Sequence, residues 1–254
     1  MRPSEKSLRA FFGHLFHEIT TLDGKFLKTL VLMLRKPGEV SHQYMNGRRV
    51  PYYKPVSMFF VANLLYFLFP AFNSLNSSLY VQMNQLPHSE LVTRMVNDHL
   101  SSHDVSLEMF SVQYNQQATN MAKLFLILLV VYFSIPLAMV NFGRRMYVSD
   151  HLLVSLELCS LVILTNFFAL IWILHFVMWL GGWAGFDWSY LLEDRYLTPV
   201  SLLLVGYLFY QAGKSAYAWE GWRAFGKAAL LVLGFYVVLQ VYRGTLFFIT
   251  FWSL

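Results

Sequence analysis

One cysteine, Cys159, stands in 254 residues, so no disulfide can form within the chain and cysteine usage says nothing of redox compartment. Charge is scarce as well. Asp, Glu, Lys and Arg make up 13% of the residues, about half the share of roughly 25% usual in soluble domains. Acids are the scarcer sign, 14 against 19 Lys and Arg, which leaves a net charge of +5. The chain has no GxSxG elbow, no HExxH, no paired CxxC, no Walker-type phosphate loop and no dinucleotide fingerprint. Those absences remove the common routes to serine hydrolysis, zinc chemistry and nucleotide binding. Lipidation motifs, low-complexity tracts and internal repeats are also missing. The first residues carry spaced rather than continuous apolar side chains, so no secretory signal is expected there.

What fills the chain instead is apolar sequence. Five stretches, 56–72, 124–140, 152–180, 196–212 and 228–254, approach or exceed the length of about 20 residues that a spanning helix needs. They lack the alternation of a barrel strand, and lipid offers backbone groups no partners. The expected fold is therefore all-α: a polytopic bundle of five transmembrane helices at 56–254, an outer loop at 73–123, and a segment 1–55 of two amphipathic helices.

Lysine and arginine are unevenly spread. Arg2, Lys6, Arg9, Lys25, Lys28, Arg35, Lys36, Arg48, Arg49 and Lys54 precede the first stretch. Arg144 and Arg145 lie between the second and third, and Lys214, Arg223 and Lys227 between the fourth and fifth. The intervening connections hold Arg94, Lys123 and Arg195 among seven acids, with Trp183, Trp188 and Tyr190 as an outer aromatic belt. The positive-inside rule then places the N-terminus in the cytoplasm and, after five crossings, the C-terminus outside. The basic skirt fits anionic lipid head groups rather than nucleic acid.

Before the first stretch, Leu8, Phe11, Phe12, Leu15, Phe16 and Ile19 recur at helical spacing. Leu22, Phe26, Leu27, Leu30 and Leu34 do so again, and Pro37-Gly38 cannot continue the second helix. Cations, tyrosines and turn formers then alternate. Arg35, Lys36, Tyr44, Arg48, Arg49, Tyr53 and Lys54, with Arg144 and Arg145, are the candidate residues for binding anionic lipid or a partner. Guanidinium forks suit phosphate and tyrosines suit the head-group layer.

Two groups of residues resemble a known family. The first is Thr29-Leu30, Arg35-Lys36-Pro37-Gly38, Tyr44, Gly47-Arg48-Arg49, Tyr53 and Pro55. The second is Pro136-Leu137-Ala138, Arg144-Arg145, Tyr147, Asp150-His151-Leu152 and Ser155-Leu156. Together they resemble the bacterial membrane proteins known as domain of unknown function 3667. The resemblance implies a membrane address and a helical fold, and brings no activity with it. Many relatives carry an N-terminal four-cysteine zinc ribbon that this chain lacks, and Glu157 stands where the second motif has a further histidine.

Polar residues inside the apolar stretches form the remaining candidates. Helical spacing puts Asp150, Glu157 and His175 on one face of the third stretch, and Gln240 with Arg243 on one face of the fifth. An acid at depth is costly and marks a site or a local partner. For metal, His14 and His17 share a helical face, and His151 falls on the same side of the membrane. Three readings follow. The chain is a non-enzymatic bacterial inner-membrane protein binding anionic lipid or a protein partner, a small oligomeric transporter using the third stretch, or a His/carboxylate metal-dependent enzyme at the inner leaflet. The first is preferred, with no cofactor expected and a homo-oligomer or membrane-protein partner open.

Overall fold

A computed structural model describes residues 24–68, 77–183 and 194–254. All of its regular structure there is helical: α1 (Gly24–Arg35), α2 (Glu39–Met45), α3 (Pro55–Leu68), α4 (Leu79–Asn84), α5 (Ser89–His103), α6 (Leu107–Phe125), α7 (Ile127–Val140), α8 (Val148–Val162), a π-helical segment (Ile163–Ala169), α9 (Leu170–Trp183), α10 (Asp194–Tyr217) and α11 (Arg223–Trp252). The first amphipathic stripe, His14 and His17 lie outside the described residues.

Two helical runs are long and apolar enough to cross a bilayer, Val148–Asn166 and Arg223–Trp252. A third is the pair α6–α7, if its bend of 57° is one broken span. Helix α3 is apolar but has 14 residues. Among the described residues the count from length and composition is thus two or three, against five apolar stretches in the sequence. Helix α8 is the centre of the bundle, packed against α3, α7 and α10, while α11 closes one side against α7, α10 and α6. On α11 the residues Ala224, Ala228, Leu231, Phe235, Val238 and Tyr242 turn inward, and Leu230, Leu233, Val237 and Val241 stay exposed. A helix apolar on its outward face as well as its inward one suits a lipid surrounding.

The segment expected as an outer loop is helical over much of its length. Helices α4, α5 and α6 bury Leu79, Val92, Val96, Phe110, Tyr114 and Ala118 around Phe247 of α11, a small core separate from the main one. Helix α6 is long enough to continue the apolar stretch of α7 beyond its expected start.

Candidate functional site

Pro37 and Gly38 end α1 and reverse the chain. Gly38 has φ +83°, and a Cβ there would sit 2.8 Å from the backbone of Ala212 in α10. Only glycine combines that left-handed conformation with so close an approach. The turn is held by the buried carboxylate of Glu157. The Gly38 N–H donates to Oε1 at 2.9 Å, and the Ser41 N–H and Oγ donate to Oε2 at 2.7 and 2.5 Å. Ser41 Oγ also lies 3.1 Å from the Leu153 carbonyl. The costly buried acid of the third stretch therefore has its partners 116–119 residues earlier in the chain.

The tyrosines of the same segment also act inside the fold. Tyr44 is buried, and its hydroxyl lies 3.2 Å from the Tyr53 carbonyl and 3.4 Å from that of Tyr52. Burial raises the Tyr44 phenol above its ordinary value, with the nearby Arg49 charge acting the other way. The Tyr53 N–H donates to Thr29 Oγ1 at 2.8 Å, and that hydroxyl donates in turn to the Lys25 carbonyl at 2.7 Å. These bonds tie α1 and α2 to the start of α3.

The cations face outward. Arg35, Lys36, Arg48, Arg49, Lys54, Arg144 and Arg145 are all exposed. Exposed apolar side chains accompany them: Leu27, Val31 and Leu34 along one side of α1, Phe142, Tyr147 and Trp222 in the connections that share this end of the bundle, and Val148 at the start of α8. Phe142 is 94% exposed and Trp222 86%, which gives the end an amphipathic rim.

Two connections meet there in a cluster that spacing alone does not reveal. The Trp219 indole N–H donates to Asn141 Oδ1 at 2.7 Å, and the Tyr217 hydroxyl lies 2.9 Å from His151 Nδ1. The rings of His151, Tyr217 and Trp219 stack in sequence, with centroid separations of 5.6 and 6.1 Å. Gly213 makes room, since a Cβ there would lie 2.0 Å from the Trp219 ring. Arg144 donates to the Ala218 carbonyl at 3.4 Å, and Lys227 Nζ sits 5.4 Å from the Trp219 ring centre. The signal available in the sequence was the aromatic pair Tyr217 and Trp219 between cations.

Other expected sites change. Asp150 caps its own helix, accepting from the Tyr147 N–H at 2.9 Å. The π-helical segment after Val162 replaces i→i+4 bonds by wider i→i+5 turns, so α9 does not keep the phase of α8. Glu157 is buried and His175 exposed, and the shared face of Asp150, Glu157 and His175 is not formed. Within the π segment Asn166 is buried, with neither amide atom hydrogen-bonded among the described residues. On α11, Gln240 Oε1 is buried without a hydrogen bond among the described residues, and the Arg243 carbonyl accepts from Gln82 Nε2 at 3.1 Å. His151 is engaged by Tyr217, and no group of three His, Cys, Asp or Glu side chains able to hold a metal occurs among the described residues. Ser89 is the first residue of α5, and His88 occupies the capping position without a side-chain bond.

The turn at Gly38, its tyrosine ties and the start of α3 all fall within residues 23–67, which match the family described as Protein of unknown function (DUF3667). This part of the chain belongs to that family. In this DUF3667 segment, Thr29, Gly38, Tyr44 and Tyr53 serve the fold, while Arg35, Lys36, Arg48, Arg49 and Lys54 are left to the surface. Comparison with curated proteins and with solved structures finds no match.

Proposed function

We propose that this chain is a bacterial inner-membrane protein whose basic end lies in the cytoplasm and binds anionic lipid head groups. The observation that carries the reading is the division of labour at that end. Every arginine and lysine of the motif is exposed, and exposed Leu27, Val31, Leu34, Phe142 and Trp222 stand beside them. Cations above a rim of large apolar side chains match the layered chemistry of a membrane surface. In the same reading α3, the α6–α7 pair, α8 with α9, α10 and α11 make five crossings, with the C-terminus outside.

Native mass spectra from bilayer nanodiscs test the binding. Wild type is expected to retain anionic lipid that Arg48→Ala/Arg49→Ala loses; equal retention by both removes the assignment to this segment. Cysteines introduced at Arg48 and Ser253 test the topology, because the native Cys159 is buried and adds little background. Labelling of both from one side would overturn the five-crossing arrangement.

The transport reading keeps one observation, the buried amide of Asn166, without a hydrogen bond among the described residues, in the π-helical segment, a type of segment frequent at functional sites. Flux through reconstituted protein that is unchanged in Asn166→Leu would remove it.

A further inference from the structure

Arg144, from the connection between α7 and α8, and Arg223 and Lys227, from the first turns of α11, come together around a single turn. Arg144 reaches the carbonyl of Ala218, and Lys227 stands over the ring of Trp219, the next residue. Arg223 precedes Lys227 by four residues on α11 and so lies on the same helical face. Arg144 and Arg223 are both like-charge neighbours of Lys227. Like charges gathered without need cost stability, and the fold gathers them over a rigid base. Trp219 is fixed by Asn141, stacked on Tyr217 and seated against Gly213. A guanidinium has five N–H donors, and the structure uses one of Arg144's on Ala218. The remaining forks suit the tetrahedral oxygens of a phosphate.

We propose that Arg144, Arg223 and Lys227 form a site for a phosphomonoester, the head group of a lipid that carries a terminal phosphate. The proposal rests on the lipid-binding reading above and narrows it to one chemistry and one place. A phosphomonoester carries about −1.5 to −2 charges near neutral pH, which answers three converging cations better than the single charge of a phosphodiester. The lipid source follows from the flanks, since Phe142, Trp222 and Phe225 are 94%, 86% and 53% exposed beside the cluster. Glu220, exposed and next to Trp219 in the chain, brings the opposing charge. It sets the sign of a second test: its removal strengthens binding.

The experiment is lipid retention by full-length protein in phosphatidylcholine nanodiscs doped with phosphatidic acid or with phosphatidylglycerol, read by native mass spectrometry. Wild type is expected to retain phosphatidic acid about tenfold more strongly than phosphatidylglycerol, in the range of one added charge-assisted bond. Arg223→Ala and Lys227→Ala lose that preference, and Glu220→Gln raises it. Arg144→Lys, which keeps the charge and loses the fork, checks the Arg144 role without emptying the loop. Displacement of phosphatidic acid by millimolar inorganic phosphate would reassign the site to soluble phosphates and overturn the lipid source. Equal retention of both lipids, with loss of both in Arg48→Ala/Arg49→Ala, would overturn the phosphomonoester site and leave the general reading standing. No retained anionic lipid in any sample would overturn both.

Discussion

The two ends of the bundle solve the same problem with different chemistry. At the opposite end, helices α4, α5 and α6 close over α11 with neutral groups. Tyr114 and Phe247 pack at 5.8 Å, His99 lies against Phe110 and Phe251, and Gln82 links His88 Nε2 to the Arg243 carbonyl. At the basic end a single buried carboxylate gathers the DUF3667 turn onto α8, and an indole–amide bond gathers α10 and α11 onto the α7–α8 connection. One end is stabilised by aromatic packing spread over many residues; the other concentrates its structure in a few directional bonds. The cations are outside those bonds, which separates stability from surface chemistry at that end.

The largest effect expected is from Glu157→Ala. It leaves the N–H groups of Gly38 and Ser41 without their acceptor, at about 1–3 kcal/mol for each buried group, and turns the Ser41 hydroxyl over to the Leu153 carbonyl. Thermal unfolding in detergent should show a loss of about 4 kcal/mol or no recoverable folded protein. Trp219→Ala comes next, at about 3 kcal/mol, the lower end for truncating a buried aromatic; a loss under about 1 kcal/mol would mean that the indole is not a support. Ser41→Ala keeps the backbone bond and removes the Oγ bond, which sets its cost near 1.5 kcal/mol. If it equals Glu157→Ala, the hydroxyl and not the turn is what the carboxylate holds.

A smaller effect probes the opposite end by pH. Burial lowers the His88 imidazole below its ordinary value. The unfolded chain therefore takes up a proton at higher pH than the folded one. Folded-state stability should fall as pH drops below about 6.5 and level off once the folded state is also protonated. His88→Gln should flatten that part of the pH profile, and an unchanged slope would place its origin elsewhere. The smallest effect belongs to Arg48→Ala/Arg49→Ala, expected within about 0.5 kcal/mol of wild type as for ordinary surface positions. A large loss there would undo the separation of structure from surface chemistry.

Much of the helical architecture was legible from apolar length, and Pro37-Gly38 marked the end of α1 at the right place because proline and glycine punctuate locally. The family likeness was legible from the same short motif. What stayed hidden depends on distance or phase. The partners of Glu157 are more than a hundred residues away in the chain, and no periodicity carries that information. The phase of His175 was lost to a π-helical segment that reads in sequence as ordinary apolar helix. The small core of the 73–123 stretch stayed hidden because Tyr114 and Phe110 find their apolar partners on α11 rather than along their own segment. Tyr217 and Trp219 were passed over because a stacked ring and a held loop look, in one dimension, like a connection.

The bond between Gly38 and Glu157 also sets an order of events at the ribosome. The two residues are separated by 119 positions, and at 5–20 residues per second that is a wait on the order of ten seconds. Through that interval the DUF3667 turn has no acceptor to close on. Its basic segment leaves the ribosome before the tie to Glu157 can form, and takes its final form when the third apolar stretch arrives.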